Sequence, residues 1–209
     1  MTKRNITLHH GDLPTAIATK LGNTIAMDCE MMGLNALRDK LCLVQLSDNG
    51  TDIHLVKFDI TKSYNAPNLV ALLNDETKTK IFHFAVADME TLTQYLNAEP
   101  KGIYCTKMAA RLCRTYTDAH GLKATVKNVL GIDLPKTSAS SNWGQAELSQ
   151  AQIDYAAEDV FYLHDLKEHF DVEVEKLGRT QILAETNRFI PTLAKLNLQG
   201  WTQNFLAHH

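Results

Sequence analysis

Apolar and polar positions along this chain follow two periods, and each switch of period marks a new element. Five short apolar runs read as strands: Asn23 to Glu30, Leu41 to Leu46, Ile53 to Phe58, Lys80 to Phe84 and Gly102 to Cys105. Asp48-Asn49-Gly50, between the second and third, is a hairpin signal. Helical spacing predicts Asn68 to Leu73 after Pro67, Ala85 to Leu96, Lys107 to Thr115 with Thr106 as N-cap, and Leu122 to Leu130 stopped by Gly131. Ser149 caps a long helix reaching about Leu177, and Gly178 separates it from a last one near Thr180 to Leu196. Residues 1–22 predict only a turn at Gly11-Asp12-Leu13-Pro14 and a short helix from Thr15 to Lys20. Three strands, a helix, a strand, a helix, a strand and then helices make an α/β chain. Its antiparallel meander joins a parallel part.

The first strand breaks its own apolar pattern at the end. Thr24-Ile25-Ala26-Met27 runs into Asp28-Cys29-Glu30, and a period of two points both acids to one side. Carboxylates that close raise each other's pKa unless a cation neutralises them. The pair is either a divalent-metal site or a strand running out into solvent. Two further acids bear on the choice. Asp88 follows the fourth strand, where a helix dipole alone would favour an acid. Asp159 sits four residues after Tyr155 on one face of the long helix; alone, it would be a surface acid.

Composition narrows the class. The chain has 209 residues, 44% of them hydrophobic, with 10 Gly and 5 Pro, which fits one large globular domain or two small ones rather than disorder. No apolar run approaches the roughly 18 residues of a membrane span, and Met1 to Arg4 leads into a polar segment rather than a signal sequence. Cys29, Cys42, Cys105 and Cys113 lack CxxC spacing and read as reduced thiols of a cytoplasmic protein. A net charge of -3 provides no global field for long nucleic acid, which favours short substrates or local basic patches.

Together, Asp28-x-Glu30, Asp88 and Tyr155-x-x-x-Asp159 resemble the three motifs of the DEDD 3′→5′ exonuclease superfamily. Asp154 stands where the alternative branch has His, so the match is to the DEDDy type. Gln152 to Leu163 is similar to ribonuclease D-like proteins. Residues 8–13, Gly33-Leu34 through Cys42, His120-Gly121-Leu122-Lys123, Ser140 to Gly144 and Gly200-Trp201 resemble the compact bacterial branch called nano-RNase C. Asn142 departs from the Asp commoner there, keeping its size and losing its charge.

The resemblance implies a ribonuclease H-like fold with a mixed five-stranded sheet. It also implies a single exonuclease domain over 1–209 with no appended helical nucleic-acid-binding domain. It implies a two-metal-ion 3′→5′ exoribonuclease releasing 5′-mononucleotides from very short RNA, with Mg²⁺ or Mn²⁺ on oxygen ligands. Asp28 would bridge the metals, Glu30 and Asp159 would share the ion that carries the water, and Asp88 would hold the other. Tyr155, whose phenol ordinarily titrates near 10, would orient that water. The alternatives are a ribonuclease D-like exonuclease on tRNA or other RNA or DNA ends, and a non-catalytic nucleic-acid-binding module.

Candidate substrate contacts keep two readings each. Leu34 is a base wedge or a core leucine, and Trp143 is a stacking platform or pocket wall, or core. His83 is a ligand or a packed histidine, and His120 with Lys123 is a phosphate grip or a solvated cap. Arg111, Arg114 and Lys127 read as a solvated basic face. Similar compact proteins form closed homo-oligomers, so the resemblance implies a homo-oligomer, with an octamer as one such form.

Overall fold

The computed structural model describes residues 4–134 and 141–201. Ser140, the first residue of the Ser140 to Gly144 motif, lies outside them. The sheet has six strands in the order β1-β4-β3-β2-β5-β6: β1 (Asn5–His10), β2 (Thr24–Met31), β3 (Leu41–Ser47), β4 (Asp52–Lys57), β5 (Thr79–Phe82) and β6 (Ile103–Cys105). β2, β3 and β4 form the antiparallel meander, whereas β5 and β6 run parallel to β2. The expected five strands are therefore six. β1 adds itself parallel to β4 at the outer edge. Its residues are mostly exposed or half-exposed, so no buried face wrote a clear alternation into NITLHH.

Eight helices surround the sheet among the described residues. The first is α1 (Thr15–Ala18). α2 (Pro67–Asn74) and α3 (Ala85–Leu96) bury Leu69, Leu72, Met89 and Leu92 against Ile25, Met27 and Cys29 of β2. α4 (Thr106–Cys113), α5 (Leu122–Leu130), α6 (Gln150–Phe161) and α7 (Leu163–Lys176) cover the opposite face, over Ala26, Leu43, Ile53 and Leu55. α8 (Thr180–Leu198) contributes Ile190 and Ala194 to the first core and Leu183 to the second. Alternation along β2 thus sends Asp28 and Glu30 to the α6 side and Cys29 to the α3 side.

Two local expectations change. Thr106 is not a cap: it is buried, and its hydroxyl lies 3.1 Å from the Phe82 carbonyl and 2.8 Å from His83 Nδ1. The long helix is broken at Tyr162 (φ -99, ψ 1), although the apolar stripe of Val160, Leu163, Leu166, Phe170 and Val174 continues through it. Arg4 holds the break from the sheet edge. Its guanidinium pairs with both oxygens of Glu158 and stacks over Phe161, 4.0 Å from the ring centre. Ser149 does cap α6, through a reciprocal box with Gln152.

Candidate active site

β2 supplies the first pair of acids, and a register shift between Glu30 and Met31 marks where its pairing with β3 becomes irregular. α6 crosses that face and brings Asp159. One carboxylate oxygen from each of Asp28, Glu30 and Asp159 lies within 4.8 Å of the others. Asp88 is not in that group. It is buried in the first turn of α3, in the layer on the other side of β2, and accepts a hydrogen bond from the Cys29 thiol. Asp88 therefore meets the cluster around the end of the strand, close enough to repel the charge on Asp28 and Glu30.

Burial is the largest cause of every shift in the cluster; repulsion from the other acids adds to it at Asp28, Glu30 and Asp88, and repulsion from Glu158 at Asp159. Glu30 is pushed up to about 9, Asp88 to about 8 and Asp159 to about 7, and Asp28 is raised well above the usual carboxylate range. Tyr155 donates a hydrogen bond to Asp159. Burial, and then the charges of Asp159, Glu30 and Asp28, lift its phenol far above its ordinary value, so it keeps its proton. The carboxyls can be charged together only beside a cation.

Gln45 belongs to the site and was not singled out from sequence. It sits opposite Asp28 on β3, fully buried, and its amide nitrogen is 3.4 Å from both Asp28 Oδ2 and Glu30 Oε1. The signal in the sequence is one Gln inside the apolar run Leu41 to Leu46, a strand that the structure buries throughout.

The candidate contacts separate. Leu34 is 97% exposed, which removes its core reading. Trp143 is only 2% exposed, and its ring centre is 6.1 Å from that of Tyr155. It backs the tyrosine instead of lying open as a stacking platform. His83 is packed: Nε2 donates to the His120 carbonyl at 2.9 Å and Nδ1 meets the Thr106 hydroxyl, so neither nitrogen is left for a ligand. Burial holds its imidazole down at about 4, hence neutral. The His120 side chain is buried, which corrects the solvated cap, whereas Lys123 is exposed. Arg114 is buried too, donating to the Ala119 carbonyl at 3.3 Å, and Lys127 pairs with Asp133 at 2.7 Å.

A mixed ribonuclease H-like sheet with carboxylates gathered at the end of its central strand defines a class of metal-dependent nucleases. The 3′-5′ exonuclease family matches residues 6–175, and the chain belongs to that family. Within it, the chain is similar to Brucella melitensis NrnC bound to pGG, with 39% identity, a TM-score of 0.92 and coverage of 99% of this chain and 100% of that one. Brucella melitensis NrnC with bound Mg²⁺ matches at 38% identity and a TM-score of 0.91, over 98% of this chain and 99% of that one. Escherichia coli RNase D, an exoribonuclease involved in structured RNA processing, matches at 25% identity and a TM-score of 0.74, over 86% of this chain and 46% of that one. Ribonuclease D of Jannaschia sp. is 29% identical over 163 residues, which are 77% of this chain. The chain spans 42% of that relative's length.

Proposed function

We propose that this protein is a two-metal-ion 3′→5′ exoribonuclease that cuts very short RNA, dinucleotides included, into 5′-mononucleotides. The observation that carries the reading is the convergence of Asp28 and Glu30 from β2 with Asp159 from α6 within 4.8 Å. Such an all-carboxylate set, half-buried and mutually repelling, suits hard cations of the Mg²⁺ or Mn²⁺ kind. Two such ions, when bound, supply an activated water and neutralise charge on the scissile phosphate.

Asp28, Glu30 and Asp159 would hold these ions from the sheet and α6, and Asp88 from the first turn of α3. Gln45 restrains the two β2 carboxylates from below. Tyr155, kept protonated by burial, orients Asp159 and is the group assigned to align the attacking water. Trp143 fixes the tyrosine ring from behind. Leu34, projecting freely, is the wedge against the bases. Preference for short substrates is supported by the near-complete match to NrnC bound to pGG. A closed homo-oligomer and a cytoplasmic setting are part of the same proposal; among the described residues, no helix is long and apolar enough to cross a membrane.

A length series tests the substrate reading. With Mg²⁺, turnover of pGG should exceed that of a ten-nucleotide RNA. Faster turnover of the ten-mer points instead to the ribonuclease D-like reading.

A further inference from the structure

Two non-glycine residues among those described have positive φ, and only one has an ordinary reason for it. Asn97 (φ 52) closes the C-terminus of α3, where Asn is a common left-handed residue. Phe84 (φ 75, ψ 46) precedes the first turn of the same helix, and for a bulky side chain that backbone is a true outlier. Packing does not explain it, because the residue is 40% exposed. Strain kept without a buried side chain to justify it points toward function.

Its position gives the strain a use. β2, β5 and β6 are parallel, so their C-terminal ends lie along one edge of the sheet. Ala26 pairs with Ile81 and Phe82 with Cys105. Just beyond come Asp28 and Glu30 on the first strand, His83 and Phe84 on the second, and Thr106 and Lys107 on the third. Phe84 thus stands between the carboxylates and Lys107, one helical turn before Asp88. The Lys107 ammonium lies 3.9 Å from the centre of the Phe84 ring, and Arg111 follows one turn later on α4. Neither cation forms an ion pair among the described residues. In a chain with a net charge of -3, two cations without an ion pair, Lys107 over an exposed aromatic ring and Arg111 near enough to Lys107 to repel its charge, form a local exception beside the acid cluster.

We infer that Phe84, Lys107 and Arg111 form a nucleotide subsite at the rim of the acid cluster, the ring stacking on a base of the RNA and the two cations holding its phosphate. The inference rests on the exonuclease reading and adds substrate contacts to it. Stacking on an aromatic side chain tolerates any base, so the subsite contributes affinity without sequence preference. The cations attract the phosphate through a charge interaction that salt weakens.

Phe84→Gly and Lys107→Gln test it. Glycine adopts a positive φ without strain, so the first variant keeps the fold while removing the ring. Hydrolysis of pGG is compared with that of the p-nitrophenyl ester of thymidine 5′-monophosphate, which lacks a second nucleotide, both with Mn²⁺. Each variant should lower the pGG-to-ester ratio of kcat/KM about tenfold, chiefly through KM. The KM for pGG should also rise less steeply with salt in Lys107→Gln. Variants that keep the wild-type ratio overturn the subsite alone. A folded wild-type protein inactive on both compounds removes the nuclease reading and the subsite with it.

Discussion

Gln45 faces Asp28 across the β2–β3 ladder, its amide nitrogen 3.4 Å from that carboxylate and from Glu30. Its own side-chain oxygen is buried with no hydrogen-bond partner among the described residues. Gln45→Leu deletes that oxygen and frees both acids from their shared donor. The variant should fold normally, yet need roughly 10–100 times more Mg²⁺ for half-maximal activity. A metal titration checks this, and an unchanged midpoint contradicts it.

Raised carboxyl pKa values set the direction of the pH response. An acid with a higher pKa in the folded chain binds more protons folded than unfolded between the two values, so stability falls as pH rises through that window. From an ordinary carboxylate near 4, the windows extend to about 7 for Asp159, 8 for Asp88 and 9 for Glu30. With a chelator present, Tm should therefore fall between about pH 5 and about pH 9. Added Mg²⁺ should flatten the slope by stabilising the charged forms, most strongly at the alkaline end. A Tm that climbs over this range without metal runs against the arrangement.

Leu34 and Trp143 should respond to truncation in opposite ways. Leu34 is 97% exposed, so Leu34→Ala should leave stability within about 0.5 kcal/mol while raising KM for pGG. Trp143 is 2% exposed, and Trp143→Ala should cost about 3–5 kcal/mol in denaturant unfolding. Equal stability losses would return Leu34 to the core.

Tyr155→Phe separates orientation from proton transfer. The ring stays against Trp143, so the fold should persist, while kcat drops roughly 10–100-fold with the loss of the bond to Asp159. Because burial lifts the phenol upward, the wild-type rate profile should show no tyrosine inflection in the neutral range. One that vanishes in the variant would make Tyr155 a free base.

Asp28 and Glu30 were legible because they end an apolar strand, whereas Asp88 and Asp159, ordinary acids taken singly, became legible only through the resemblance of the three motifs together. Their convergence was not, since it depends on α6 crossing β2 through contacts far apart in the chain. Asp88 shows the limit clearly. The resemblance to the exonuclease motifs placed it in the set, but only the two-layer packing shows it approaching from the opposite face, beside Cys29. β1 escaped because an exposed edge strand buries too little to enforce alternation. The Tyr162 break escaped because neither Gly nor Pro marks it, and Arg4, which stacks there, is more than 150 positions away. Ser140-Ser141-Asn142 before Trp143 and Gly144-Gln145 after it are polar or small, so the sequence carries no sign that this aromatic side chain turns inward.

Asp28→Asn and Asp159→Asn, assayed on pGG with Mg²⁺ after circular dichroism shows both folded, put the central claim to the most direct test. Shared coordination by the two residues predicts that each loses at least about three orders of magnitude in kcat/KM, release of 5′-GMP included. Wild-type turnover in either folded variant would contradict it.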